Sequence, residues 1–191
     1  MLNTSLPYIS IDDDFSLNLS LTALIIEKLG LNSKKNAVLD FEKIQIFLYL
    51  VKNPSKINII LKLADKKFTP INTQYTFTIE SLSTNVDILF DRGKLKHLIK
   101  ELAARGMLIC EKAKSQDSIK YLLSEQGKAF AKGLEIQEHT NPLKTLNSTS
   151  TQTTTSHYFS AAAEVIASLS ALQSQTNSKL NSYLNATFKR I

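Results

Sequence analysis

The chain has one cysteine, Cys110, in 191 residues, so no internal disulfide can form. Its three histidines stand alone at positions 97, 139 and 157, and no Cys/His set has zinc spacing. No apolar run approaches the roughly 18–20 residues that a membrane-spanning helix needs. The N-terminus has no basic region, and Asp12, Asp13 and Asp14 precede its apolar stretch, which does not fit a signal peptide. A cytoplasmic location is the expectation. No Gly-rich phosphate loop, HExxH pair, GxSxG elbow or paired-carboxylate pattern occurs, so neither catalysis nor a cofactor is expected. Cys110 has no recognisable base beside it and reads as a small inward hydrophobe. The acidic triplet has neither the glycine nor the distal glutamate of a calcium loop and reads as a solvated turn.

What is present is an ordinary core-forming composition, 43% hydrophobic and 21% charged, with a net charge of +6. The charge is uneven. Residues 39–134 hold sixteen Lys/Arg against ten Asp/Glu, whereas residues 1–38 are net −1 and residues 135–191 net +1. The middle of the chain is therefore the place to look for an anionic partner.

Helical spacing appears first over Ser16–Leu29, with Leu17, Leu21, Leu24, Ile25 and Leu29 near one stripe and Gly30 to stop it. Asp40 is placed to cap the next helix, where Ile44, Phe47, Leu48 and Val51 recur at i, i+3, i+4 and i+7. Ile46 and Leu50 make its opposite side apolar as well, which predicts a central helix. Asn53-Pro54-Ser55 then restarts the chain into a helix carrying Ile57, Ile60, Leu61 and Ala64, a helix-turn-helix arrangement. Within 67–91, Thr76–Ile79 is strand-like and Asn85–Phe90 has room for one helical turn.

A helix from Gly93 to Arg105 places Leu95, Leu98, Ile99 and Leu102 on one face, and Gly106 can take the left-handed conformation that ends it. Met107–Ala113 and Ile119–Leu123 read as two strands around a polar tip. Ser124 can cap a following helix, whose Ala129 and Phe130 would pack on the core. Gly127 in its first turn suggests close approach of a neighbouring backbone. Helix, hairpin and helix in this order predict a mainly α fold with a small β-hairpin, a winged helix-turn-helix domain.

Residues 148–156 contain eight Ser/Thr in nine positions and no charge, the composition of a linker. A single long helix is expected beyond it, about Tyr158–Lys189. Val165, Leu169, Leu172, Thr176, Leu180, Tyr183 and Thr187 step at 4-3 spacing, thickened by Ile166, Leu184 and Phe188. The resulting organisation is an arm and helix over 1–38, a winged-helix domain over 39–134, a linker over 135–157 and a tethered helix over 158–191. Tyr158, Val165, Ile166, Leu169, Leu172, Leu180, Tyr183, Leu184 and Phe188 then form a stripe for a partner. The alternative is a helix folded back on its own domain.

The helix Gly93–Arg105 sits where a winged helix carries its recognition helix. Arg92, Lys94, Lys96, Lys100 and Arg105, with Lys112, Lys114 and Lys120 on the wing, supply cations that would suit phosphates. Base reading favours Arg, Asn or Gln, so this Lys-rich face predicts weak sequence preference. A solvated face that only keeps the domain soluble stands beside that reading, and His97 reads as a surface histidine.

The segments FEKIQIFLYLVKNPSKINIILKL, TFTIESLSTNVDILFDRGKLKHLIKELAARGMLICEK and IKYLLSEQGKAFAKGL resemble, over roughly residues 38–134, the small middle component of three-component ABC systems, of which the Lamassu anti-phage and anti-plasmid complexes are an example. The YLLSEQGKAF element resembles winged-helix transcription regulators equally. The insert at 67–91 and the tethered end separate the chain from a compact regulator. The resemblance implies a non-catalytic accessory subunit. It would bridge an SMC/RecF-like ATPase to a nuclease or other effector, with at most weak, nonspecific DNA contact and no membrane. An accessory role in a housekeeping SMC system is a third reading.

Overall fold

A computed structural model describes residues 14–66, 70–71, 89, 91–112, 118–136 and 158–189. The strand-like Thr76–Ile79, the tip lysine Lys114 and the linker from 137 to 157 fall outside those residues, as does Asn85–Phe90 apart from Leu89. The described chain is mostly helical: α1 (Phe15–Leu29), α2 (Phe41–Lys52), a short 3-10 turn (Pro54–Lys56), α3 (Ile57–Leu63) and α4 (Arg92–Ala104). Strands β1 (Leu108–Lys112) and β2 (Ile119–Leu123) follow, then α5 (Glu125–Ile136), α6 (Tyr158–Ser168), a 3-10 turn (Leu169–Leu172) and α7 (Asn177–Phe188).

α1 begins where Asp14 Oδ1 accepts from Leu17 N at 3.0 Å, so the last member of the acidic triplet is a helix cap. α1 is more deeply enclosed than its stripe suggested. Leu19, Leu21, Ala23, Leu24, Ile25, Ile26 and Leu29 are all buried, because α2, α4, β2, α5 and α6 surround it. Gly30 ends it without a left-handed turn, at φ −62°. The reversal comes later, at Lys35 with φ 58°, where Asn32 Oδ1 accepts from Lys34 N and Asn36 N. α2 is central as its pattern implies: every residue from Lys43 to Lys52 is buried.

The stretch from α4 to α5 follows local chemistry closely. Gly106 adopts φ +68°, and Met107 N donates back to Leu102 O at 2.8 Å. β1 and β2 pair antiparallel, Leu108 opposite Leu123 and Lys112 opposite Ile119. Ser124 caps α5 by accepting from Gly127 N at 3.2 Å, while its hydroxyl donates to Gly106 O at 2.7 Å. In α5 it is Ala131, not the exposed Ala129, that enters the core beside Phe130. A Cβ on Gly127 would lie 2.3 Å from Met107 O, a contact only glycine avoids. Gly127→Ala should therefore cost about 1–3 kcal/mol through overpacking against a backbone that cannot yield. A thermal melt will show the loss, and an unchanged midpoint would refute the close approach.

The C-terminal segment departs from expectation in two respects. It is two helices, not one. The chain passes from α6 through the 3-10 turn and breaks at Thr176, whose hydroxyl accepts from Lys179 N at 3.3 Å to start α7. Thr176, read as part of a continuous stripe, is an N-cap. The segment also lies on its own domain: α6 packs on α1, α2 and α5, and α7 packs on α2 and α3. Residues read as separate units over 1–38, 39–134 and 158–191 thus contribute to one hydrophobic cluster.

Candidate interaction surface

The stripe expected to meet a partner is spent on this core. Val165, Ile166, Leu169, Leu172, Leu180 and Leu184 are buried, and Tyr158, Tyr183 and Phe188 are partly buried against the cluster. The Phe188 ring meets Tyr49 edge-on at 6.0 Å, and Lys56 Nζ lies 5.4 Å from its centroid. The expectation of an uncovered seam is therefore corrected. α1 and α2 carry apolar surface on most sides, and the C-terminal helices are what covers it. Tyr49 is wholly buried, which pushes its hydroxyl up to about 12.

A polar clasp centred on Asp40 holds this arrangement. Asp40 Oδ1 accepts from Lys43 N and from Asn177 Nδ2, each at 3.0 Å, and Oδ2 accepts from Lys120 Nζ at 2.8 Å. One carboxylate thus joins the start of α2, strand β2 and the start of α7. Lys43 Nζ donates to Gln173 O at 3.0 Å, and Gln173 Nε2 donates to Leu29 O at 2.9 Å. Burial alone would raise the Asp40 carboxyl, but the donors from Lys120, Lys43 and Asn177 outweigh it and hold the group below its ordinary value. Burial lowers the Lys43 ammonium despite the attraction of Asp40. The sequence marked Asp40 as a cap; nothing local marked its partners 80 and 137 residues away.

The cations read as phosphate ligands divide accordingly. Lys120 is committed to Asp40, with side chains only 14% and 16% exposed, so it is not free for a phosphate. Arg92 reaches Glu42 at 3.6 Å and stacks over Phe41 at 5.1 Å. Lys94 pairs with Asp91 at 3.8 Å, and Arg105 with Glu101 at 2.8 Å. Lys96 and Lys100 stand exposed one turn apart on α4, and Lys112 is exposed on β1. Exposed His97 lies 5.1 Å from the Phe15 ring. Among the described residues, Lys96 and Lys100 give α4 a thin cationic face.

The hairpin carries two exposed large apolar residues, Ile109 at 45% and Ile119 at 50%; Leu31 after α1 and Ile59 on α3 are exposed as well. Cys110, expected to point inward, is exposed as well. Beside α4 a groove of about 450 Å³ is lined by Ile46, Leu184 and Phe188, with Glu42, Gln45 and Arg92 at its polar side. Among the described residues, no group of three or more His, Cys, Asp or Glu is placed to hold a metal, and no helix is long and apolar enough to cross a membrane.

The family model described as ABC-three component (ABC-3C) system Middle Component 4 matches residues 29–155, about two thirds of the chain. The chain belongs to this family. No match emerged among curated proteins or among solved structures. The match spans α2, α3, α4, the hairpin and α5, together with the sequence between and beyond them; α6 and α7 lie outside it. Middle components work with the other components of their systems, and the family points to an accessory role in defence. In this middle component the outer side of α4 and the hairpin are open to a companion, whereas the apolar stripe of the C-terminal helices is already occupied.

Proposed function

We propose that this middle component is a non-catalytic accessory subunit of a Lamassu-like defence complex, bridging an SMC/RecF-like ATPase to a nuclease or other effector. The family match over residues 29–155 carries the reading. The element order supports a winged helix at its centre. α1, α2 and α4 precede the hairpin, and Tyr121 N donates to Leu39 O at 2.9 Å, so an extended segment flanks β2 as a third strand would. Pairing of Arg92, Lys94, Arg105 and Lys120 with nearby acids favours protein contact over phosphate contact on this face.

Co-expression with an ATPase and an effector of the same system should yield a stable assembly containing the full-length chain. A chain that purifies alone under those conditions refutes the role. The competing regulator reading requires tight, sequence-selective DNA binding by the isolated protein. At physiological salt only weak, unselective binding is expected, and Lys96→Glu with Lys100→Glu should lower it a further ten-fold or so. A nanomolar, operator-specific shift would overturn the accessory role in favour of a regulator.

A further inference from the structure

In an antiparallel pair, hydrogen-bonded and non-hydrogen-bonded residue pairs alternate along the ladder. Two backbone bonds set the phase here. Ser124 N donates to Met107 O, whereas Tyr121 N turns away from β1 and donates to Leu39 O, both at 2.9 Å. Cys110 lies opposite Tyr121 in the register. The ladder bonds therefore belong to Ile109–Leu122 and Glu111–Lys120. The N–H and C=O groups of Leu108 and Cys110 point outward, away from β2. Within the described residues the sheet has two strands, so β1 is its open edge. Ile109, Cys110 and Glu111 are exposed along it.

The geometry points to this edge as the seat of an added strand, supplied as an extended segment by a companion subunit of the system. A second copy of the chain fits poorly. Outward-facing residues must meet outward-facing residues. Setting Cys110 on its own symmetry mate places Ile109 against Glu111 twice. Shifting Cys110 onto Leu108 pairs the two Ile109 side chains but sets Glu111 against Met107, and shifting it onto Lys112 places Glu111 against Glu111, where like charges destabilise a sheet, so none of these registers gives Glu111 a cation. Strands of five residues also bury far less than the roughly 1,200 Å² of a stable dimer, so the strand must come with further contact area from a larger partner. Ile109 and Glu111 share one face of the hairpin, while the lysine opposite Glu111 is held by Asp40. The incoming segment should thus carry an apolar residue beside Ile109 and, two positions along, a lysine or arginine beside Glu111. This inference rests on the accessory-subunit reading for the identity of the partner.

Cys110 offers a clean test because its N–H serves only the outer edge. Cys110→Pro removes that donor without taking a bond from the β1–β2 ladder, and proline is tolerated on strand edges. In the full-length chain it should leave the melting midpoint unchanged and weaken binding to the co-expressed companion subunits about ten-fold, the equivalent of one good hydrogen bond. Cys110→Ser should bind as the natural chain does. Maleimide labelling of the natural chain gives a second readout that needs no variant: Cys110 should react readily in the isolated protein and at least about ten-fold more slowly in the assembled complex. A folded proline variant that assembles normally overturns the inference, as does unchanged labelling in the complex. Self-association of the isolated chain, abolished by the proline, overturns the companion in favour of a second copy. If the natural chain forms no complex, the accessory role fails and the companion strand fails with it.

Discussion

Ending the chain at residue 157 should unfold the protein, not merely remove an attachment. The missing segment contributes Val165, Ile166, Leu169, Leu172, Leu180 and Leu184 to the core, all at or below 4% exposure. At about 1.5–3 kcal/mol each, an upper estimate, those six side chains rival the roughly 5–15 kcal/mol that holds a typical domain together. The truncated chain is expected to lose its cooperative melt, bind a hydrophobic dye and run as soluble aggregate on gel filtration. The single change Leu169→Ala, a gentler version, should cost about 2–5 kcal/mol. A truncated chain that melts cooperatively at the original midpoint would show that α6 and α7 are not part of the core. The same experiment would mislead as a binding assay, because loss of a partner would follow from loss of the fold.

Asp40 carries the second large effect. Asp40→Ala removes the cap of α2, a hydrogen bond to α7 and the carboxylate paired with the largely buried Lys120. A cost of roughly 2–4 kcal/mol is expected, because breaking one partner of a shielded ion pair leaves the other charge unpaired. For a chain of this size that lowers the melting midpoint by roughly 5–12 °C. Adding Lys120→Met should recover part of the loss, and additive effects of the two changes would rule out the pairing. The pH dependence follows in sign. The folded carboxyl lies below its ordinary value of 3.8, so its contribution is fully present above that value. It is lost as the pH falls through the lower, folded value. Stability of Asp40→Ala should accordingly fall less than that of the natural chain over this acid range.

These two effects show which parts of the structure short-range chemistry could announce. Gly106, Ser124 and Gly127 were legible because each acts within a few residues of itself or across a tight hairpin. Asp40 was legible as a cap and no further, since Lys120 and Asn177 are remote in the chain. Lys120 looked like a phosphate ligand only because its true partner was hidden. Cys110 was misplaced because Leu108, Ile109 and Cys110 form an unbroken apolar run, which offers no alternation to say which face turns inward. The C-terminal helices do have a clue in the sequence. α2 is apolar on most sides and needed a cover, and the segment after the linker was an apolar stripe lacking one. Those two surpluses match each other. The break at Thr176 is a matter of capping chemistry competing with periodicity, and the serine- and asparagine-rich sequence around it allows either.

The packing of α6 onto α1 has a consequence for how the protein is made. The helix at residues 15–29 leaves the ribosome long before its cover at residues 158–168 has been translated. At roughly 5–20 residues per second the early helices wait several seconds with their grease uncovered. Folding to completion thus waits until these late helices have emerged, and translation products that stall or stop before them should be sticky, short-lived substrates for chaperones and proteases.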